Sequence, residues 1–227
     1  MCGRIVQKTL PKFIAKRFGV SDENIRPPEN FSPRYNIAPS LQILAIRLRP
    51  NAERELLPLT WGLLPSWAKE SKISFATSNA RAETVAEKPT FRNAYKTRRC
   101  LIPVDGYYEW QATPTAKQPW YVSAKDGQPL ALAGLWEEWK GDGIIIESCT
   151  IIVTSANPLL ETIHDRMPVI IAENHWADWL APQTKAVVVK SMMREYDAQF
   201  LQAWPVSTQV NSTRNQGGTE LTTRIGE

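Results

Sequence analysis

The chain begins Met-Cys-Gly-Arg. Free cysteine is usually buried and chain ends usually fray, so a thiol at position 2 asks for an explanation other than packing. Initiator methionine is commonly removed when the next residue is small. Cys2 would then carry a thiol and a free α-amine, with reference pKa values of about 8.5 and about 7.7–8.0. Both are partly deprotonated near neutral pH, and a cation such as Arg4 favours the thiolate. Two chemistries follow. The thiol can attack an amide or ester with the amine as its base. Alternatively, amine and thiol add to one aldehyde. The amine gives an imine, and the thiol closes a five-membered thiazolidine ring that only an N-terminal cysteine can form.

Three later stretches offer partners for that chemistry. SNARAET (78–84) sets Asn79 and Arg81 two residues apart, on one face if the piece is extended. Asparagine supplies a neutral amide donor and acceptor, and arginine a phosphate clamp. The same residues also suit a helix N-cap. DGYYEW (105–110) holds Glu109 between aromatics, where a desolvated carboxylate has a raised pKa and can shuttle protons. A solvent-facing strand residue would look the same in sequence. IHDRMP (163–168) holds His164, the natural acid–base side chain near neutral pH, with Asp165 to orient it and Arg166 to hold an anion. A structural histidine fits this stretch too, and His175 beside Trp176 is read as structural.

The elements that must position these residues read as an α+β protein. With 227 residues, 43% hydrophobic and 22% charged, the chain can bury a core without staples. Three widely spaced cysteines, Cys2, Cys100 and Cys149, argue against a disulfide framework and for a reducing compartment. No apolar run is long enough for a membrane span, and no signal-peptide core opens the chain. A net charge of +4 leans towards an acidic partner, and some of the nine tryptophans sit near arginines where they could stack on bases. Residues 9–18 read as a short helix and 27–40 as an irregular loop. Residues 41–50 and 54–63 read as a strand hairpin. The stretch 75–99 passes from an extended piece into one or two helices, and 99–112 reads as a strand. PWYVSAKDG, LALAGLWEEWK and ESCTIIVTSAN, punctuated by glycine turns, read as a three-stranded antiparallel meander. Short helices are expected at 157–164 and 172–181, and a longer one at 191–204, with Met192, Tyr196 and Phe200 at helical spacing.

Several classes find no support. There is no GxGxxG, no GxxxxGK[ST] and no GxSxG. Two histidines without a nearby cysteine pair make no zinc site, so neither metal nor cofactor is expected.

MCGR, RYNIAP, WGLLPSW, SNARAET, RCLIPVDGYYEW and IHDRMP, in this order and followed by VNSTRNQGGTEL, closely resemble the SRAP (SOS response-associated peptidase) family. The resemblance covers nearly the whole chain and implies a single domain over 1–227, with a curved, barrel-like, mainly antiparallel sheet flanked by short helices. It implies a sensor and shield for abasic sites in single-stranded DNA. The cysteine after the initiator methionine, here Cys2, captures the ring-opened aldehyde as a thiazolidine. Asn79 would position Cys2 or the sugar, Glu109 would move protons, and His164 would help open the ring and reverse the crosslink. A carbon–oxygen lyase activity and self-removal of Met1 belong to the same picture.

The resemblance also implies phosphate contacts by Arg4, Arg34, Arg81 and Arg166, a shared loop with Asn36 and Pro39, and stacking by Trp67 and Trp110, including at junctions of single- and double-stranded DNA. Some family members carry a second tryptophan after Trp67. This chain has Ala68 there, which weakens the expected junction stacking. A monomer suffices, and a cytoplasmic, bacterial protein found on the nucleoid is expected. Three rival readings remain from the residues alone. One is an N-terminal-nucleophile cysteine amidohydrolase or peptidase. Another is a non-catalytic single-strand-binding module in which Cys2 is dispensable. The third is a plain structural protein with no active site.

Overall fold

The computed structural model describes residues 2–26 and 31–226. Along the chain come β1 (Ile5–Gln7), α1 (Pro11–Phe18), β2 (Arg34–Ile37), β3 (Gln42–Leu48), β4 (Arg54–Trp61), β5 (Asn79–Arg81) and α2 (Arg92–Thr97). There follow β6 (Arg99–Val104), β7 (Gly106–Ala112), β8 (Lys117–Ala124), β9 (Leu130–Gly141), β10 (Ile144–Ser155), β11 (Arg166–Pro168), α3 (Trp176–Leu180), α4 (Ala186–Met192) and β12 (Leu201–Pro205). Strands dominate and the helices are short, as an α+β reading requires.

Two sheets carry the strands. One has five, in the order β12-β8-β7-β1-β2. The other runs β11-β10-β4-β3-β6-β9, and β9 returns to pair antiparallel with β10 from Ile144↔Gly141 to Ile151↔Gly134, so this sheet closes on itself. Closure removes the open edges that a flat sheet would expose. Strand alternation then divides the core. Ile43, Leu57, Leu59, Cys100, Ile102, Leu132, Cys149 and Ile151 meet Ile5, Ile37, Tyr107 and Val122 of the five-stranded sheet. The alternate set, including Leu44, Ile46, Leu56, Leu101 and Ala133, packs under the helices.

The helices are pinned by local chemistry. Pro11 opens α1, where a missing N–H costs nothing, and Gly19 ends it in the left-handed region at φ 65°. Ile14 and Phe18, one turn apart, face the core, and the Phe18 ring stacks on Trp176 at 4.2 Å. Arg99 is buried at the start of β6 and donates to the carbonyls of Tyr95, Lys96, Trp179 and Ala181. It thereby satisfies the orphan C-terminal carbonyls of two helices at once.

The first strand is held from both sides. β1 pairs antiparallel with β2 and β7. Gln7, wholly buried, exchanges hydrogen bonds with Leu44 of β3 (Nε2 to O, 3.0 Å; N to Oε1, 2.9 Å) and donates to Pro103 O of β6 at 2.8 Å. One side chain therefore stitches the strand that follows Cys2 to the closed sheet.

The structure corrects several sequence expectations. The single strand expected over 99–112 is two strands in different sheets. The chain crosses at Asp105, whose carboxylate accepts from Lys8 N (2.7 Å), Thr9 N (3.0 Å) and the Thr9 hydroxyl. It then passes Gly106, where a Cβ would lie 2.4 Å from the Tyr121 ring. The meander is broken as well. β9 and β10 form the expected hairpin, but β8 pairs with β7 and β12 in the other sheet. Of the helix expected over 191–204 only Ser191 and Met192 are α-helical, as the end of α4, and residues 201–205 are β12, pairing Leu201↔Ala124 through Pro205↔Trp120. Tertiary pairing overrides the helical spacing of Met192, Tyr196 and Phe200. Residues 158–163 form overlapping turns rather than a helix, with Asn157 Oδ1 accepting from Leu160 N at 3.1 Å. The expected loop 27–40 contains β2; its residues 27–30 lie outside the described residues.

Gln7→Leu keeps the volume but leaves Leu44 N, Leu44 O and Pro103 O without that partner. At about 1 kcal/mol or more for each buried group, the expected loss of stability is about 3 kcal/mol. Urea denaturation measures it, and a loss below about 0.5 kcal/mol would mean that the stitch holds nothing.

Candidate active site at the N-terminal cysteine

Gly3 and Arg4 link Cys2 to β1, and the β1–β7 register (Ile5↔Tyr107, Val6↔Gly106), continued by two residues, sets Gly3 opposite Glu109. Tyr108 N donates to Arg4 O at 3.0 Å, in keeping with that register. Asn79 arrives from the other sheet. β5 lies parallel to β10 with Asn79 opposite Ile151, and Ser78 O accepts from both Ile151 N (3.1 Å) and Trp61 Nε1 (2.8 Å). So pinned, Asn79 Nδ2 donates to Cys2 O at 2.9 Å. The stretch is extended, and Asn79 caps no helix.

Burial sets the electrostatics. Cys2 is 0% exposed, and desolvation, then the charge of Glu109, raises its thiol far above the usual range. The Arg4 backbone N–H opposes that shift. Glu109 is 3% exposed, and burial pushes its carboxyl up to about 7. His164 is half-buried, and desolvation lowers its pKa, so the ring is neutral near pH 7. In that state Nδ1 accepts the Arg166 backbone N–H at 3.0 Å and the proton sits on Nε2. The Asp165 carboxylate, 2.8 Å from Nδ1, becomes its ion-pair partner only when the ring is protonated.

Glu109 and His164 line one cleft of about 450 Å³, together with Gly3, Arg4, Ala38, Pro39, Phe75, Trp110, Lys117, Asn211 and Thr213. Arg4 is a largely buried wall of it. Its guanidinium donates to Asn36 Oδ1 (2.6 Å) and Val210 O (2.8 Å) and lies 5.5 Å from the Trp110 ring centroid. Asn36, wholly buried, also donates to Val210 O, Ser212 O and Asn215 O, which draws the 210–215 segment against the site. Trp110 Nε1 donates to Asn211 Oδ1 at 2.7 Å.

The other sequence candidates stand further out. Arg81 is exposed on β5, and Arg166 pairs with Glu83. Trp67 is 60% exposed and lines a neighbouring depression with Leu64, Lys69, Lys72 and Ser74. Arg34 is half-buried on β2 and does not line the cleft. Met1 lies outside the described residues. Sequence reasoning missed Lys117 and Phe75, because nothing local distinguishes a strand lysine or an exposed aromatic from any other surface residue. Asn211 and Thr213 had a signal, since they fall in the VNSTRNQGG segment. Among the described residues, no group of three His, Cys, Asp or Glu side chains could hold a metal ion, and no helix is long and apolar enough to cross a membrane.

Comparison with known proteins follows this geometry. The family model described as SOS response associated peptidase (SRAP) matches residues 1–213. The chain belongs to the SRAP family. This SRAP chain is 40% identical over 218 residues to the abasic site processing protein YoqW of Bacillus subtilis, covering 95% of the chain and 96% of that protein. It is 30% identical to the abasic site processing protein HMCES of Xenopus tropicalis, over 95% of the chain and 76% of that protein. A crystal structure of a Bacteroides thetaiotaomicron protein superimposes with a TM-score of 0.87 at 25% identity, covering 99% of this SRAP chain and 100% of the other.

The folded chain holds the Glu109 proton through the window from 4.5 to about 7, where the unfolded chain has released it. Stability therefore falls as pH rises through that window. Glu109→Gln removes this dependence. Calorimetry from about pH 5 to about pH 8 should show the parent Tm falling relative to the variant's, and parallel curves would contradict a desolvated carboxyl.

Proposed function

We propose that this chain captures abasic sites in single-stranded DNA through Cys2, as a thiazolidine joining the protein to the opened deoxyribose. The observation that carries the reading is the Asn79–Cys2 hydrogen bond, which ties a residue of the other sheet to the carbonyl of Cys2, while Gly3, next in the chain, lines the cleft with Glu109 and His164. The relatives' names point the same way: YoqW and HMCES are both named abasic site processing proteins.

An abasic deoxyribose opens to an aldehyde at C1′, and His164 Nε2–H assists by donating to the ring oxygen. With Met1 gone, the Cys2 amine adds to C1′ and water leaves, giving an imine. Glu109 as carboxylate takes the thiol proton, and sulfur bonds C1′ as the C=N π pair moves to nitrogen. Glu109 then returns the proton to that nitrogen. Asn79 holds the Cys2 carbonyl so that amine and thiol approach the same carbon. The imine also acidifies the adjacent C2′ proton, which permits β-elimination of the 3′ phosphate and so a lyase activity. Met1 leaves by attack of the Cys2 thiol on the Met1 carbonyl, followed by hydrolysis of the thioester. Reversal runs these steps backward: Glu109 takes the ring N–H proton, the C1′–S bond breaks as the C=N bond re-forms and the sulfur regains the proton, and water adds at C1′ so that the amine leaves and the aldehyde is restored.

Arg81, Arg166 and Lys117 meet the phosphates, and Trp67 and Phe75, both exposed, offer faces to bases or to a duplex end. One chain suffices, and the substrate places the protein with chromosomal DNA in the cytoplasm.

Single-stranded DNA bearing an abasic site, incubated with protein and then heated in denaturant, should give a slow-migrating band. Cys2→Ala gives none, and Glu109→Gln slows its appearance by about 100-fold or more. The reading falls if no band forms from protein whose intact mass shows that Met1 has left.

A further inference from the structure

Two other buried phenols have acceptors. Tyr108 donates to Tyr35 O at 2.8 Å and Tyr121 to Asp105 O at 3.0 Å. Tyr107 differs from both. It is 0% exposed, and its hydroxyl has no hydrogen-bond partner among the described residues. A buried donor without an acceptor is costly, and phenylalanine would fill the same space without that cost.

The surroundings of this hydroxyl are those of the proposed chemistry. Tyr107 and Glu109 are two apart on β7 and so share a face. Tyr107 packs in the same cluster as Cys2, and negative charge on either Cys2 or Glu109 acts on its phenol. A second buried atom beside Cys2, Asn79 Oδ1, also has no partner among the described residues. Two of the buried polar atoms without a partner among the described residues thus belong to side chains that interact with or pack near Cys2, the residue that the reaction changes.

We propose that the Tyr107 hydroxyl is a further catalytic group, donating a hydrogen bond to the Cys2 sulfur while that sulfur carries negative charge during ring closure. The proposal rests on the crosslinking reading above. The resting fold makes no hydrogen bond between the Tyr107 hydroxyl and the Cys2 sulfur, and a thiolate, a far stronger acceptor than a neutral thiol, draws one. The thiol proton passes to Glu109, and the sulfur, its charge stabilised by the Tyr107 O–H, attacks the imine carbon. Tyr107 keeps its own proton throughout, because burial holds its phenol well above the ordinary range. The hydroxyl counteracts the desolvation that otherwise disfavours the Cys2 thiolate.

Tyr107→Phe tests this with one atom removed. Single-turnover crosslinking to abasic single-stranded DNA, measured against pH, should shift about one pH unit to the alkaline side, about tenfold slower near pH 7. The Tm should be unchanged or higher, since an unpartnered hydroxyl supports nothing. An unshifted profile overturns the proposal. So does a variant that fails to fold, because the hydroxyl would then be structural. If the parent forms no crosslink, the crosslinking reading fails by itself. Alkylation of Cys2 by iodoacetamide, read by mass on the N-terminal peptide across pH, then decides Tyr107 alone. The variant should need higher pH to react, and coincident curves would overturn the assignment.

Discussion

Cys2 and Glu109 are both buried, and the electrostatics of the site follow from that burial. Desolvation penalises charge on either side chain, so both hold their protons to higher pH than they would in water. For Glu109 the result is a carboxyl that titrates near neutrality, able to take and return one proton within a single reaction. The thiol faces a harder problem, since the same burial that tunes its neighbour suppresses its own nucleophilic form. A site of this kind needs donors close to the sulfur, and the Arg4 backbone N–H supplies one.

The architecture maintains the burial of Cys2. A terminus left to itself would fray and let water in. Here β1 is paired on both edges, Gln7 ties it to β3 and β6 of the closed sheet, and Asn79 reaches from β5 to the carbonyl of Cys2 itself. From the other end of the chain, Asn36 and Arg4 gather the carbonyls of the 210–215 segment. The cleft is thus assembled from residues more than two hundred positions apart, and its polar lining is supported from behind by side chains that a ligand does not need to touch.

Some of this was legible in the sequence, and the reasons are local. The β3–β4 hairpin announces itself by two apolar runs around Pro50–Asn51, and α1 by Pro11, its apolar spacing and Gly19. SNARAET, DGYYEW and IHDRMP marked Asn79, Glu109 and His164 by residue type, and only the resemblance implied that they act together; the structure sets Glu109 and His164 in one cleft and Asn79 on the carbonyl of Cys2. Partner choice was not legible. Nothing near Asp105 says that β6 and β7 belong to different sheets, because what decides it is the Asp105 contact with Lys8 and Thr9 and the Tyr121 ring against Gly106. β12 carries a helical spacing that its pairing with β8 overrules. Tyr107 looked like an ordinary apolar strand residue, and only its unanswered hydroxyl distinguishes it.

The central claim is that amine and thiol of one residue close on one carbon, and the composition of the linkage tests it most directly. Peptides released from the purified crosslink by protease and nuclease, treated with borohydride and iodoacetamide, are read by mass spectrometry. The account predicts an N-terminal peptide beginning at Cys2 and joined to the sugar remnant with loss of one water. It should neither gain hydrogen from borohydride nor take an alkyl group on sulfur. A linked peptide that still carries Met1, that is reduced by borohydride, or that has an alkylated Cys2 would contradict it.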